Sequence, residues 1–208
     1  MKRGLVIRPV IMCKAPVAGR VKTRLTPDLS ADEAAELYAA MASIVIQRNL
    51  RLFPNTWLSA DDPSHAFFSD FGAPVLAQGG GNLGERMQRM VNRAFAYGAD
   101  AVLLLGSDSP HMPDARLLAA ARALQYCDVV LGPVQDGGYD LLGVRGHWPG
   151  LLDGVRWSTP EVLSQTLSNA ARLRLRTRCL STAFDLDTFD DVQRARRAGL
   201  KIQFGTSL

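Results

Sequence analysis

The sequence predicts a three-layer α/β/α sandwich around a mainly parallel, mixed sheet, in one domain spanning residues 1–208. Two observations predict it. Short apolar runs alternate with longer segments of helical periodicity along nearly the whole chain, which is the pattern of βα units. Two of the runs, residues 101–106 (AVLLLG) and 128–134 (DVVLGPV), are apolar almost throughout and lie between helical segments, as central strands buried on both faces are. At 208 residues the chain is long enough for one substantial core and short for two.

The first strand is read at residues 5–12 (LVIRPVIM). Its basic start and apolar stretch are not read as a signal peptide, because Arg8 and Pro9 interrupt the apolar run and no small-residue cleavage site follows. SADEAAELYAAMASIVIQRNL reads as a long helix opened by a capping box, Ser30 with Glu33. TWLSA and APVLAQ are short strands. LGERMQRMVNRAFAYG places Leu83, Met87, Met90, Val91, Ala94 and Phe95 at helical spacing and stops at Gly98. After the strand at 101–106, PDARLLAAARAL reads as a helix with Pro113 in its first turn. DVVLGPV and YDLLGV read as strands, STPEVLSQTL as a helix with Ser158 and Glu161 placed as a capping box, and TFDDVQRARRAGL as the last helix. In RLRLRTR, Arg172, Arg174, Arg176 and Arg178 alternate with Leu173, Leu175 and Thr177, which predicts a half-exposed strand whose arginines share one face and block edge pairing.

Composition narrows the function classes. Apolar residues make up 47% and charged residues 21%, and no apolar run approaches the ~20 residues a bilayer span requires, so no membrane partner is expected. A net charge of +4 without a basic face interleaved with aromatics gives no nucleic-acid partner either. Cys13, Cys127 and Cys179 are odd in number, widely spaced and lack a Cys-x-x-Cys pair, which argues against a disulfide framework or zinc site and fits a reducing cytoplasm. His65, His111 and His147 are scattered, and no Ser-His-Asp or Cys-His set is legible.

In open α/β sheets ligands bind outside the carboxyl ends of the strands, so the segments that follow strands were read for chemistry. CKAPVAGRVKTRL gathers Lys14, Arg20, Lys22 and Arg24 around Gly19, with Arg8 just upstream. It matches neither the P-loop nor the dinucleotide fingerprint, yet cations beside flexible backbone suit a polyphosphate; a solvated surface loop is the alternative. In GSDSP, Asp108 follows a buried strand and suits a hard cation, or else an Asx turn. FDLDTFDD supplies Asp185 and Asp187, the latter also placed as an N-cap. DGGYD puts Asp136 before Gly137 and Gly138, with the Tyr139 hydroxyl next, and reads either as a substrate contact or as a tight hairpin. QGGGNLGER, with Gln78, Gly80, Gly81 and Gly84, offers backbone N–H groups at a helix start to a base or phosphate.

The ordered set KAPVAGRVKTRL, QGGGNLGERM, GSDSP, GPVQDGGYDLLG, WSTPEVL and DLDTFDD closely resembles a bacterial family of glycosyltransferase-like, selenodomain-associated transferases in the nucleotide-diphospho-sugar transferase superfamily. The resemblance runs from the first strand to the last helix. It implies the glycosyltransferase A-type, Rossmann-like fold, a nucleotide over the first half of the sheet, and Mg2+ or Mn2+ as cofactor. More distantly the chain resembles phospholactate guanylyltransferases and molybdenum-cofactor nucleotidyltransferases. Carried over by residue, the resemblance implies phosphate contacts from Arg20, Lys22 and Arg24, base recognition across Gln78 to Gly84, and metal ligation by Asp108 and Asp187, with Asp185 beside it. Two departures stand out: Asn82 occupies the place of an Asp in the glycine segment, and Ser109 replaces the second carboxylate of the Asp-x-Asp motif, which favours nucleotidyl over glycosyl transfer.

The expectation is a transferase that passes a nucleotidyl group from a nucleoside triphosphate to a small phosphate or acid acceptor, with Lys22, Asp108 and Asp136 in catalytic roles. Lys14, Gly19, Arg20, Lys22, Arg24, Gln78, Gly80, Gly81 and Gly84 would bind nucleotide, and Gly137, Gly138 and Tyr139 the second substrate. The alternatives are a glycosyltransferase using a nucleotide sugar, with Asp136 as acceptor base, and a noncatalytic nucleotide-binding protein.

Overall fold

The computed structural model describes residues 4–25, 27–184, 186, 189–197, 200 and 202. Its strands are β1 (Ile7–Cys13), β2 (Trp57–Ala60), β3 (Val75–Ala77), β4 (Ala101–Gly106), β5 (Val129–Pro133), β6 (Tyr139–Val144) and β7 (Thr177–Cys179). Its helices are α1 (Ala31–Leu52), α2 (Leu83–Ala96), α3 (Asp114–Ala123), α4 (Val162–Arg172) and α5 (Phe189–Arg197). The strands form a 7-stranded sheet in the order β3-β2-β1-β4-β6-β5-β7. Neighbours pair in parallel except where β6 meets β4 and β5. The reversal has a local cause: the short segment between Pro133 and Tyr139 turns a hairpin, whereas a parallel return needs a crossover of a dozen or more residues.

β4 shows why the sheet is covered on both faces. Leu103 and Leu105 pack with Ile11, Val45, Ile46, Leu117 and Leu124 on the side of α1 and α3. Leu104, between them, packs with Val10, Met87, Met90, Leu142 and Ala170 on the side of α2 and α4. That is the period of two expected of a strand, with apolar side chains at every position because both faces are dry. A third cluster of Leu25, Leu37, Met41, Leu186, Val192 and Ala195 seats α5 on α1 and brings Leu186 under the β1–α1 loop. No described helix is long and apolar enough to cross a membrane.

Several local expectations are corrected. Ser158 does not cap α4: it adopts φ 62, and Glu161 occupies the N-cap position without a side-chain cap bond. Instead Glu161 pairs with Arg156 and accepts from Gln165 Nε2 at 3.2 Å. The RLRLRTR segment is not one strand, because α4 runs to Arg172 and Arg174 turns the chain at φ 57. Only Thr177–Cys179 joins the sheet, as its edge. Pro113 is the N-cap of α3, one position earlier than a first-turn proline. Arg8 does not join the cationic loop. It pairs with Val102 near the start of β1, and its guanidinium lies 4.3 Å from the Trp57 ring centroid.

Candidate functional site

The carboxyl ends of β1, β3, β4 and β5 open on one side of the sheet, and the β1–α1 loop is anchored there at its first residues. Lys14 N donates to the Tyr38 hydroxyl at 2.8 Å, that hydroxyl bonds Ser107 Oγ at 2.8 Å, and Ala15 N donates to Asp61 Oδ1 at 2.7 Å. The loop root is thereby tied to α1, to the end of β4 and to the end of β2. Burial pushes the Tyr38 phenol up, so this junction is a neutral hydroxyl. Gly19 supplies a left-handed turn at φ 74, after which Lys22 adopts φ 46. The Lys22 side chain is 6% exposed; its Nζ donates to Leu186 O at 2.7 Å and stands 3.5 Å from Asp108 Oδ2. A buried ammonium is tolerated only with such partners. Arg24 reaches the cleft wall, while Lys14 and Arg20 remain exposed on the same loop.

Asp108 sits two residues past β4 and is 51% exposed, facing the cleft. Its turn is held from α1: Arg48 Nη1 donates to Ser109 O at 3.4 Å, and its other terminal nitrogen donates to Pro110 O. His111 Nε2 lies 2.8 Å from Phe184 O, and the two rings stack at 4.3 Å. Burial lowers the His111 pKa, leaving a neutral ring in a structural position. Arg194 covers the same Phe184 ring at 4.1 Å. Asp185 and Asp187 lie outside the described residues.

At the end of β3, Gln78 is 5% exposed and its Nε2 donates to both Cys13 O and Ser59 O at 2.8 Å. Its amide therefore stitches β1 to β2 instead of facing the cleft. Gly79 and Gly81 adopt φ 75 and 96. Two arginines of α2 grip the carbonyls of this turn: Arg89 binds Gln78 O and, at 3.0 Å, Gly80 O, and Arg86 Nε binds Gly81 O at 2.9 Å. With the carbonyls held, the N–H groups of Gly79 to Gly81 are exposed and make no hydrogen bond among the described residues. Asn82 has a clear local role as N-cap of α2, its Oδ1 accepting from Glu85 N at 3.0 Å while Glu85 Oε2 accepts from Asn82 N at 3.1 Å. Gly84 is buried because the Trp157 ring lies on it: a Cβ there would come within 2.8 Å of the indole.

The DGGYD segment is a hairpin, as one reading had it. Val134 N donates to Gly138 O at 3.2 Å, and Gly138 N donates to Asp136 Oδ1 at 2.8 Å. Gly137, at φ 88, lets the turn press against Pro160, whose carbonyl oxygen would lie 2.1 Å from a Cβ at that position. Beneath the hairpin, Asp140 and Arg116 form a bidentate ion pair with Nε–Oδ2 of 3.0 Å and Nη2–Oδ1 of 3.1 Å, 2% and 7% exposed. Burial raises the Asp140 pKa, and the Arg116 guanidinium opposes that shift.

These elements enclose a cleft of about 560 Å³. Of the expected residues it gathers Arg24, Asp108, Asp136, Gly138 and Tyr139, with Lys22 on the far side of the Asp108 carboxylate. Gly84 instead faces a second, shallower cavity along α2. Sequence reasoning missed Arg48, Arg86, Arg89, the Arg116–Asp140 pair and Trp157. The spacing of Arg86 and Arg89 on the first turns of a helix that follows a glycine run was a usable signal, since only that helix face can reach the run's carbonyls.

A family model described as an uncharacterized protein conserved in bacteria, DUF2064, matches residues 30–159. No curated protein matches the chain by sequence. Among solved structures, the chain is similar to a Desulfovibrio desulfuricans G20 protein described as a candidate nucleotide-diphospho-sugar transferase, with 33% identity over 88% of this chain and 83% of that one and a TM-score of 0.82. At 12% identity it shares its fold with a CMP:2-keto-3-deoxy-manno-octonic acid synthetase complexed with CTP, over 92% of this chain and 97% of that one, with a TM-score of 0.63. At 13% identity it shares it with a Mycobacterium tuberculosis glucosyl-3-phosphoglycerate synthase complexed with Mn2+ and UDP, over 93% and 77%, with a TM-score of 0.54.

Proposed function

The chain belongs to this bacterial DUF2064 family, and we propose that it is a metal-dependent transferase that moves a nucleotidyl group from a nucleoside triphosphate to a small acceptor. The observation that carries the reading is the meeting, at one set of strand ends, of a half-exposed carboxylate on Asp108, a buried ammonium on Lys22 and a turn whose three glycine N–H groups point outward. Together they offer a cation site and anion donors within one cleft, the requirements of a polyphosphate substrate.

Asp108 fits a hard divalent cation as a single strand-end carboxylate. No three His, Cys, Asp or Glu side chains cluster among the described residues, so phosphate oxygens would complete the set, with Asp185 and Asp187 as the other proposed ligands. When bound, Mg2+ or Mn2+ supplies charge neutralisation on the phosphates. The chain's own residues do the rest. Arg20, Arg24 and Lys22 stabilise charge on the phosphoryl oxygens and on the departing pyrophosphate, while Gly80 and Gly81 donate backbone N–H groups to the nucleotide. An acceptor oxygen attacks the α-phosphorus in line, the bond to the β-phosphate bridging oxygen breaks, and pyrophosphate leaves with that electron pair. No side-chain nucleophile is required, which agrees with the scattered histidines and the buried Cys13. Asp136 retains one carboxylate oxygen free of the Gly138 contact and takes the acceptor proton where the acceptor is a hydroxyl.

Calorimetric titration of nucleoside triphosphates with and without Mg2+ tests the reading. The expected result is Mg2+-dependent binding that Asp108→Ala weakens at least tenfold without loss of the folded state. Equal Mg2+-dependent affinity in both proteins would overturn it. Product analysis separates the two chemistries: pyrophosphate from a triphosphate supports nucleotidyl transfer, whereas nucleoside diphosphate from a nucleotide sugar supports glycosyl transfer.

A further inference from the structure

The cleft is chemically divided. Its mouth carries Arg24, Asp108 and Asp136, but its floor is Met12, Met87, Leu104 and Leu142, with Met87 at 5%, Leu104 at 2% and Leu142 at 1% exposure. Two aromatic side chains wall it, Tyr139 and Trp157, set edge to face at 6.5 Å and 86°. The Trp157 wall is preformed, because its ring rests directly on the backbone of Gly84. The Tyr139 hydroxyl is buried beside Thr166, whose own hydroxyl donates to Val162 O at 2.8 Å, and it has no hydrogen-bond partner of good geometry.

In the sheet order the ends of β3 and β1, with the glycine turn and the cationic loop, lie on one side of β4, and β6 lies on the other. The apolar floor and aromatic walls spread towards β6 and α4, away from the N–H groups and cations that suit a nucleotide. We propose that this half of the cleft is the acceptor site and that it takes a small molecule with a flat apolar body, one hydrogen-bonding group for Tyr139, and an anionic head directed at the mouth. The inference rests on the nucleotide-transfer reading above for the word acceptor; the ligand chemistry follows from the walls alone. A polyhydroxylated sugar would have to bury several hydroxyls against Met and Leu side chains with a single phenol to answer them, and unanswered hydroxyls disfavour binding. A ring between Trp157 and the Met87 side chain instead replaces water on both its faces, in a concave, largely apolar site of the kind that holds small ligands.

The test is calorimetry with two probes, phenyl phosphate and glycerol 3-phosphate, each titrated into the protein alone and into the protein with Mg2+ and a non-hydrolysable nucleoside triphosphate. Phenyl phosphate is expected to bind at least tenfold tighter than glycerol 3-phosphate. Trp157→Ala should erase that preference while changing triphosphate affinity less than twofold. Leu83→Ser is a second variant that spares the core, since Leu83 lines the same cleft and is 42% exposed; it should weaken phenyl phosphate severalfold. Equal or tighter binding of glycerol 3-phosphate overturns the inference. So does a loss of triphosphate affinity in Trp157→Ala with folding intact, which would place the nucleobase against that wall. Failure of every triphosphate to bind the wild type overturns the nucleotide reading instead, and the comparison of the two probes without nucleotide still decides the ligand class.

Discussion

Lys22 combines a left-handed backbone at φ 46 with a side chain that is 6% exposed, and neither is an ordinary state for a lysine. Such a conformation costs roughly 1–2 kcal/mol in an L-residue and persists where the surroundings demand it. What it secures is an ammonium set between Leu186 O and the Asp108 carboxylate. Ser158, another of the three non-glycine residues with positive φ, lines the same cleft, so strain gathers at the site. If Lys22 and Arg24 hold a polyphosphate, truncation of either to Ala removes a charge-assisted contact of about 1.5–3 kcal/mol, or roughly ten- to a hundredfold in affinity. Affinities of nucleoside triphosphate, monophosphate and nucleoside should then fall in that order of severity, with the nucleoside unchanged. Unaltered triphosphate affinity in both variants would return the loop to ordinary solvated surface.

The elements themselves were largely legible, because each one that pairs apolar periodicity with an end signal formed where its pattern lay. α1 begins at the Ser30–Glu33 capping box and α2 stops before Gly98. The failures share a cause: at Ser158 and Arg174 the backbone turns left-handed, a state that no propensity of serine or arginine announces. The shortness of β7 has a compensating tie that only the structure reveals. Asp128, just before β5, accepts from Arg176 N at 2.9 Å and from its guanidinium at 2.9 and 3.0 Å, fastening the edge strand to its neighbour. The Arg176 side-chain hydrogen bond, foremost among several causes, holds the Asp128 carboxyl below its usual range. A carboxylate depressed in the folded state adds stability that is present above its unfolded pKa of about 3.9 and is lost as pH falls through the lower folded value. Asp128→Asn should therefore be less stable than wild type at neutral pH and lose less stability on acidification, read from urea midpoints between pH 7 and pH 3. Parallel pH profiles for the two proteins would exclude the contribution.

At the scale of the whole molecule, the sheet separates two apolar layers, and the cleft opens where the strand ends meet the layer built by α2 and α4. The side of the sheet that bears function was legible from the βα alternation alone, since it fixes which ends carry the functional loops. The identity of the side chains that shape the cleft was not, because Trp157 and Arg116 act through contacts across long sequence separations that no local pattern encodes. Arg116 is the widest of these ties. From the first turn of α3 it binds Asp140 on β6, Pro133 O at the end of β5 and Ser181 O beyond β7. Its value to stability is differential. Taking two charges out of water offsets much of their mutual attraction, so the pair is worth little against apolar residues of similar size, yet either charge left alone is costly. Arg116→Leu should strand Asp140 at 2% exposure and cost about 3–5 kcal/mol in chemical denaturation. Arg116→Leu combined with Asp140→Leu should recover most of that loss, by the logic of a double-mutant cycle. A double variant as unstable as the single one would mean that the backbone contacts of Arg116 to Pro133 and Ser181, and not the charge pair, hold the far half of the sheet together.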